Sequence, residues 1–187
     1  SMIMGYAGRI AESETATNDI RRQAEIVHRQ SIEIKELVQD LNLVSQLEYE
    51  MQPLHKKPVR LSKMLRTYTA NLLNTGIPDI YTIGIEITTD AEGAILECDD
   101  RLLSRAINNL VQNSMKHNPN GCHIQLILRS SDKEISIIVA DDGVGLSPEK
   151  REELAKRPHY MQSTDERLDL RHGLGLILAS KIVEAHG

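Results

Sequence analysis

The chain has 187 residues, of which 40% are hydrophobic and 26% are charged, an ordinary composition for a soluble protein. Its net charge of −5 disfavours nucleic acid as the main partner, because a surface that follows a phosphate backbone usually needs an excess of basic residues. It contains neither Phe nor Trp, so Leu, Ile, Val and Met must form the core.

No targeting or membrane segment is predicted. No apolar run approaches the roughly 20 residues that a membrane-spanning helix needs, and no signal peptide opens the chain. Cys98 and Cys122 have no CxxC neighbour, so we expect two reduced structural thiols rather than a metal or redox site. These features predict a cytoplasmic polypeptide without membrane contact.

The first third of the chain is predicted to be helical. Residues 2–12 are typical of the end of a helix, and residues 12–18 form a polar turn. From Asp19 to about Glu50 there is no Gly or Pro, and an apolar residue recurs every seven positions, at Ile20, Val27, Ile34 and Leu41. This seam predicts a helical hairpin that pairs with a second copy in a four-helix bundle. The alternative is a lone amphipathic helix that folds onto the downstream domain.

After a linker at 51–58 with two prolines, a second domain begins near Val59. Its helices and strands alternate along the chain. The predicted elements are a helix at Leu61–Leu73 with Ser62 as N-cap, strands IGIEITT and AILEC around the turn DAEG, a helix from Asp99 or Asp100 to His117, strands HIQLILRS and EISIIVA, a helix at 148–156 and a helix from about Leu174. Helices mixed with antiparallel strands predict an α/β sandwich, and the chain as a whole is predicted to be α+β.

The segment NLVQNSMKHN places three polar side chains on one face of a helix. At roughly 100° per residue, Asn109, Asn113 and Lys116 border the apolar stripe of that helix. An Asn oxygen there can ligate Mg²⁺, a hard cation that proteins usually share with nucleotide phosphates, and Lys116 supplies a positive charge for phosphate. Taken alone, such a pair of Asn residues more often simply faces water.

Two glycine-containing motifs follow. In DDGVG, Asp141 ends a predicted buried strand, where its carboxylate can accept a hydrogen bond from an amine such as the adenine N6 group. Gly143 and Gly145 permit positive φ and close approach of the backbone to a ring. In HGLGL, two glycines just before a helix suit phosphate binding at its N-terminus. Either motif alone could be a simple turn.

Together and in this order, the three motifs resemble the N, G1 and G2 boxes of the GHKL, or Bergerat-fold, ATPases. Upstream, IKELVQDLNLVSQLE at 34–48 resembles the second helix of the dimerization domain of sensor histidine kinases. The resemblance implies a partial dimerization hairpin at 1–52, followed at 59–187 by a Bergerat-fold ATP-binding domain that lacks its closing strands. The P-loop and the GxGxxG motif are both absent from the chain, so neither a P-loop nor a Rossmann site is supported.

The resemblance also implies a site for ATP and Mg²⁺. The first Asn of the family's N box contacts nucleotide phosphate and the second binds Mg²⁺, which implies these roles for Asn109 and Asn113. The Asp of the G1 box reads adenine, which implies that role for Asp141. The other implied ATP-binding residues are Lys116, His117, Gly143, Gly145, Arg171, Gly173, Leu174, Gly175 and Leu176.

Two family features are missing. The F box has no counterpart in a chain without Phe, and we expect Tyr160 and Met161 to fill its space. The phosphoacceptor motif, a His followed by an acidic residue, is also absent, and IMGYAGRI resembles the stretch just after it. We therefore expect the acceptor to lie upstream of Ser1 and expect His28, in the second helix, to be a surface residue.

The implied function is that of the cytoplasmic catalytic core of a sensor histidine kinase, within a longer protein such as a bacterial plasma-membrane receptor. Its implied partners are a second copy of the chain and the receiver domain of a response regulator. Two alternatives remain open: another GHKL ATPase or a protein serine kinase, and a non-catalytic dimer that senses nucleotide.

Overall fold

The computed structural model describes most residues of the chain. These are residues 2–13, 16–49, 53–145, 147 and 170–187. The chain divides into two compact units, Ser1–Gln46 and Leu47–Gly187. Across the described ranges, the helices are too short or too polar to cross a membrane.

The first unit is helical. Helix α1 spans Met2–Ala11, and helix α2 begins at Asn18 and runs to Glu48. In the connection between them, the Arg21 side chain donates a hydrogen bond to the carbonyl oxygen of Ser13 at 3.1 Å. Both predicted helices are present, with ends that differ from the prediction by one or two residues.

The second unit contains two small sheets. Strand β1 pairs antiparallel with β3, while β4 lies between β2, its parallel neighbour, and β5, its antiparallel neighbour. The strand bounds are Lys57–Arg60 for β1, Tyr81–Ile87 for β2, Ile95–Cys98 for β3, Cys122–Ser130 for β4 and Ile135–Asp141 for β5. One face of β4 packs into the core.

Three helices complete the second unit: α3 (Leu61–Asn74), α4 (Asp100–His117) and α5 (Leu170–His186). Helices α3 and α4 pack against the three-stranded sheet, and α5 packs against α4. Alternate residues of β4, all fully buried, form the centre of this core: Ile124, Leu126 and Leu128. A sheet with helices on one face is the predicted α/β sandwich.

The strand pairing differs from the prediction of consecutive antiparallel pairs. IGIEITT and AILEC do not form a hairpin, because β3 pairs with β1, a strand that the sequence pattern assigned partly to the linker. The turn between them is a short 3₁₀ helix at Thr89–Ala91. The connection from β2 to β4 includes all of α4, and a crossover of that length returns the chain parallel to its start. By contrast, the predicted β4–β5 hairpin is confirmed.

The helix caps are partly as predicted. Ser62 is not the N-cap of α3: its hydroxyl donates to the carbonyl of Glu92 at 2.8 Å, and Arg60 occupies the cap position without a side-chain hydrogen bond. Asp99 is the N-cap of α4 and accepts hydrogen bonds from the amides of Arg101 and Leu102. Burial raises the pKa of Asp99, but hydrogen bonds from Arg101, His55 and Leu102 outweigh it and leave the pKa below its usual value.

Helix α5 begins at Leu170, earlier than the predicted start near Leu174. Gly173 and Gly175 therefore lie inside the helix rather than before it. Each glycine lowers the stability of a helix by about 1 kcal/mol relative to alanine. The leucines and alanines of α5, which favour helix, can offset this loss. The predicted helix at 148–156 and the proposed packing of Tyr160 and Met161 lie outside the described residues.

Candidate functional site

A polar cluster lies where β5 ends beside the C-terminal half of α4. The carboxylate of Asp141, the last residue of β5, is exposed and accepts three hydrogen bonds. Its Oδ2 accepts from the hydroxyl of Ser114 at 2.9 Å. Its Oδ1 accepts from Nδ2 of Asn118 at 3.1 Å and from the amide of Gly143 at 3.1 Å. The carboxylate is thus fixed by donors from α4 and from the loop after β5.

Asn118 is a residue of this cluster that the sequence motifs did not identify. It is the C-cap of α4 and only 5% exposed. Its Oδ1 accepts from the amide of Val144 at 2.9 Å, and its Nδ2 also donates to the carbonyl of Ser114 at 2.8 Å. The signal that could have identified it is the position of an Asn at the end of a helix, which favours a capping role.

The two glycines of DDGVG are needed for different reasons. Gly145 adopts a φ of +66°, which favours glycine, as predicted. Gly143 does not adopt a positive φ, and the prediction for it is corrected: a Cβ at this position would fall on the side-chain amide of Asn118. The absence of a side chain at 143 therefore allows the loop to close onto Asn118.

Asn109 lies on the same helix, where α4 faces α5. Its Nδ2 is buried and has no hydrogen-bond partner among the described residues. A Cβ at Gly175 would lie 3.7 Å from Cβ of Asn109, so a small residue in α5 leaves room for this side chain. A buried donor without a partner costs about 1–3 kcal/mol, so this amide is suited to a ligand that brings an acceptor.

The remaining predicted site residues in the described ranges lie on α4 and α5. Asn113 is half-buried one turn after Asn109, and Lys116 and His117 are exposed in the last turn of α4. Positive charge there is favourable because the C-terminus of a helix carries partial negative charge. In α5 the structure describes the half-buried side chains of Leu174 and Leu176, and it describes Arg171 and Gly173 by their backbone alone.

The two glycines of HGLGL do not precede the helix, as the predicted phosphate site at its N-terminus required. Gly173 and Gly175 both lie inside the helix, which spans Leu170–His186. The prediction that both glycines precede the helix is wrong.

The two cysteines are free thiols, as predicted. Burial, followed by the neighbouring Asp141 and Asp142 carboxylates, raises the pKa of Cys122. The pKa of Cys98 is raised by burial and by three nearby carboxylates. Both thiols therefore stay protonated at neutral pH, and neither has the properties of a nucleophile.

The arrangement offers the two kinds of group that a nucleotide needs. Asp141 presents a fixed anionic acceptor at the end of β5, which can receive an amine of a base. Asn109 presents a buried donor between α4 and α5, which can reach a phosphate oxygen. The residues present thus fit a nucleotide bound along one side of α4.

Comparison with known proteins supports this interpretation. Residues 98–187 match the family described as histidine kinase-, DNA gyrase B- and HSP90-like ATPases. The chain is 26% identical over 188 residues to the sensor histidine kinase YvrG of Bacillus subtilis (strain 168), and this match covers 100% of the chain and 32% of YvrG. The chain therefore spans about a third of the length of this relative.

Two solved structures share the fold. One is full-length ShkA in complex with AMPPNP, with a TM-score of 0.70 and 21% identity over 98% of this chain and 37% of that one. The other is the histidine kinase ThkA in complex with the response regulator protein TrrA, with a TM-score of 0.60 and 17% identity over 82% of this chain and 44% of that one. The family match over residues 98–187 and the similarity to sensor histidine kinases together support a catalytic ATP-binding domain of the sensor histidine kinase type.

Proposed function

We propose that this chain binds MgATP and transfers its γ-phosphoryl group to a histidine, from which an aspartate of a response regulator receives it. The observation that carries this proposal is the buried Nδ2 of Asn109, which lies beside Gly175 and has no hydrogen-bond partner in the described part of the chain. A donor in this position calls for an anionic acceptor, and a nucleotide phosphate supplies one. Asp141, further along the same face of the core, then receives the adenine amino group.

Asn113 is the proposed ligand of Mg²⁺. It lies one helical turn beyond Asn109, so a phosphate held by Asn109 is within reach of a cation held by Asn113. When bound, Mg²⁺ would neutralise charge on the phosphates. Lys116 and His117, in the next turn, add positive charge on the same side of the nucleotide.

In the proposed reaction, a histidine nitrogen forms a bond to the γ-phosphorus while the bond from that phosphorus to the bridging oxygen of ADP breaks. Phosphoryl transfer of this kind depends mainly on positioning and on neutralising charge. The role of the site residues is therefore to orient the nucleotide and expose its γ-phosphate to the acceptor.

The proposed partners are a second copy of the chain and a response regulator. The apolar residues of α2 that recur every seven positions are 46–57% exposed in the single chain, which suits a helical interface. The structure of ThkA with the response regulator TrrA supports a receiver domain as the second partner. The longer protein that contains this chain is proposed to be a sensor kinase.

A phosphotransfer assay tests this proposal. With γ-labelled ATP and Mg²⁺, this chain should acquire no acid-labile phosphohistidine, because its histidines do not follow the phosphoacceptor pattern. A version extended upstream through the natural sequence should acquire the label and lose it when Asn113 is replaced by Ala.

Two outcomes would contradict this account. Label on His28 or another histidine of this chain would place the acceptor inside it. An extended protein that binds ATP and never becomes labelled would favour a non-catalytic nucleotide sensor.

A further inference from the structure

The polar cluster around Asp141 contains two buried groups to which the proposed reaction assigns no role. Ser114 is 6% exposed and Asn118 is 5% exposed, and both belong to the C-terminal part of α4. Each donates a hydrogen bond directly to the carboxylate of Asp141. Polar side chains buried this deeply are normally retained only with their hydrogen bonds satisfied, so the pair has a defined geometry.

The hydrogen bonds of Asn118 leave its amide only one orientation. Nδ2 donates to the Ser114 carbonyl and to Oδ1 of Asp141, and Oδ1 of Asn118 accepts from the amide of Val144. A rotated amide would place its oxygen against the carbonyl of Ser114 and its NH₂ group against the amide of Val144. The network therefore fixes Nδ2 of Asn118 toward Asp141.

The two oxygens of Asp141 are not equally occupied. Among the described residues, Oδ1 accepts from Asn118 and from the amide of Gly143, while Oδ2 accepts from Ser114 alone. A carboxylate oxygen has about two acceptor positions, so Oδ2 retains one and Oδ1 retains none. Because Asp141 is exposed, this remaining position is accessible to a ligand.

We propose that Asn118 and Ser114 are positioning residues for adenine recognition: they hold Asp141 so that Oδ2 accepts from the exocyclic amine of the base. The inference rests on the proposed ATP site and extends it, because it assigns base specificity to a unit of three side chains. Gly143 belongs to this arrangement, since a side chain there would displace Asn118.

The test compares ATP with purine riboside triphosphate, an analogue that lacks the 6-amino group, in calorimetric titrations of the whole chain. Asn118→Ala should weaken ATP binding about tenfold, the effect of losing a hydrogen bond to a charged group, and leave the affinity for the analogue little changed. In an Asp141→Asn background, Asn118→Ala should cause little further loss, because Asn118 acts through Asp141.

Two further variants separate positioning from support of the loop. Asn118→Asp keeps the oxygen that accepts from Val144 but replaces the donor to Asp141 with a second carboxylate, so ATP binding should fall at least as far as with Ala. Ser114→Ala removes the donor to Oδ2 without touching the loop and should also weaken ATP more than the analogue. These two variants decide the question if Asn118→Ala fails to fold.

Equal losses for ATP and the analogue would assign Asn118 to the structure of the loop and overturn the inference. Additive losses in the Asp141→Asn background would do the same. A wild-type chain that binds neither nucleotide would instead refute the ATP site itself, so the two failures can be told apart.

Discussion

At the scale of single residues, the chemistry of the site depends on which hydrogen bonds are made and which are left open. Within the described ranges, Asp141 accepts three hydrogen bonds, and the buried Nδ2 of Asn109 has no hydrogen-bond partner. We propose that the first residue binds the base and that the second binds a phosphate. The sequence predicted both residues from their motifs, but not the partners that give them these properties.

Asn113 is the residue whose proposed role depends most on a metal ion. Asn113→Ala should reduce nucleotide binding in the presence of Mg²⁺ more than in its absence, because an amide oxygen is a ligand for this hard cation. Titrations of ATP with Mg²⁺ and with a chelator measure the difference. Gln112→Ala, at the exposed neighbouring position of α4, is the matched control. Equal losses under both conditions would remove Asn113 as the metal ligand.

Some residue roles could not be predicted from local pattern. Gly143 was expected to need a positive φ, whereas its real constraint is the side chain of Asn118, which lies far away in the sequence. A motif predicts that a small residue is needed, but the residue that fills the space is decided by tertiary packing. The same holds for Ser114, whose hydroxyl donates a hydrogen bond to Asp141 across a long separation in the sequence.

At the scale of elements, periodicity predicted most helices and strands and the pairing of β4 with β5, but the predicted pairing of β2 with β3 was wrong. Helix α4 begins after the predicted cap Asp99 because that carboxylate satisfies amides of the first turn. Strands β2 and β3 follow each other along the chain but belong to different sheets. The pairing of β2 with β4 depends on the path of the long connection between them, which contains α4. The sequences of the strands themselves do not indicate that path.

The seam of helix α2 is predicted to form the dimer interface. Its seam is 48% exposed at Ile20, 46% at Val27, 57% at Ile34 and 54% at Leu41, more apolar surface than a single helix normally leaves in water. The combined variant Val27→Asp and Ile34→Asp should therefore yield monomers that still bind ATP, since the candidate site lies within the second unit. Sedimentation at high micromolar concentration measures the assembly state.

The matched control for this seam replaces exposed polar positions of the same helix, Gln23→Asp and Gln39→Asp, which should leave the dimer intact. A wild-type chain that sediments as a monomer at high micromolar concentration would contradict a dimer built on this seam. If the Val27→Asp, Ile34→Asp variant remains dimeric, the interface lies outside this seam.

At the scale of the whole molecule, the residues of the candidate site all belong to Leu47–Gly187, the second compact unit. Asn109, Asn113 and Asn118 come from α4, Asp141 from the end of β5, and Gly175 from α5. Because α4 contacts the sheet on one side and α5 on another, one helix can present groups to both ends of a nucleotide. The fold thus brings motifs that are separated in the sequence onto elements that are in contact.

Adenine recognition by Asp141 is the claim on which the rest depends, and calorimetric titration with ATP and GTP tests it most directly. The wild-type chain with Mg²⁺ should bind ATP in preference to GTP, because guanine has a carbonyl oxygen where adenine has the amine that Asp141 accepts from. Asp141→Asn should weaken ATP binding by about 1–3 kcal/mol, the scale of a hydrogen bond to a charged group. Asp142→Asn, the same change at the adjacent exposed carboxylate, should have little effect. Unchanged ATP affinity in Asp141→Asn, or equal affinity of the wild type for both nucleotides, would contradict the assignment.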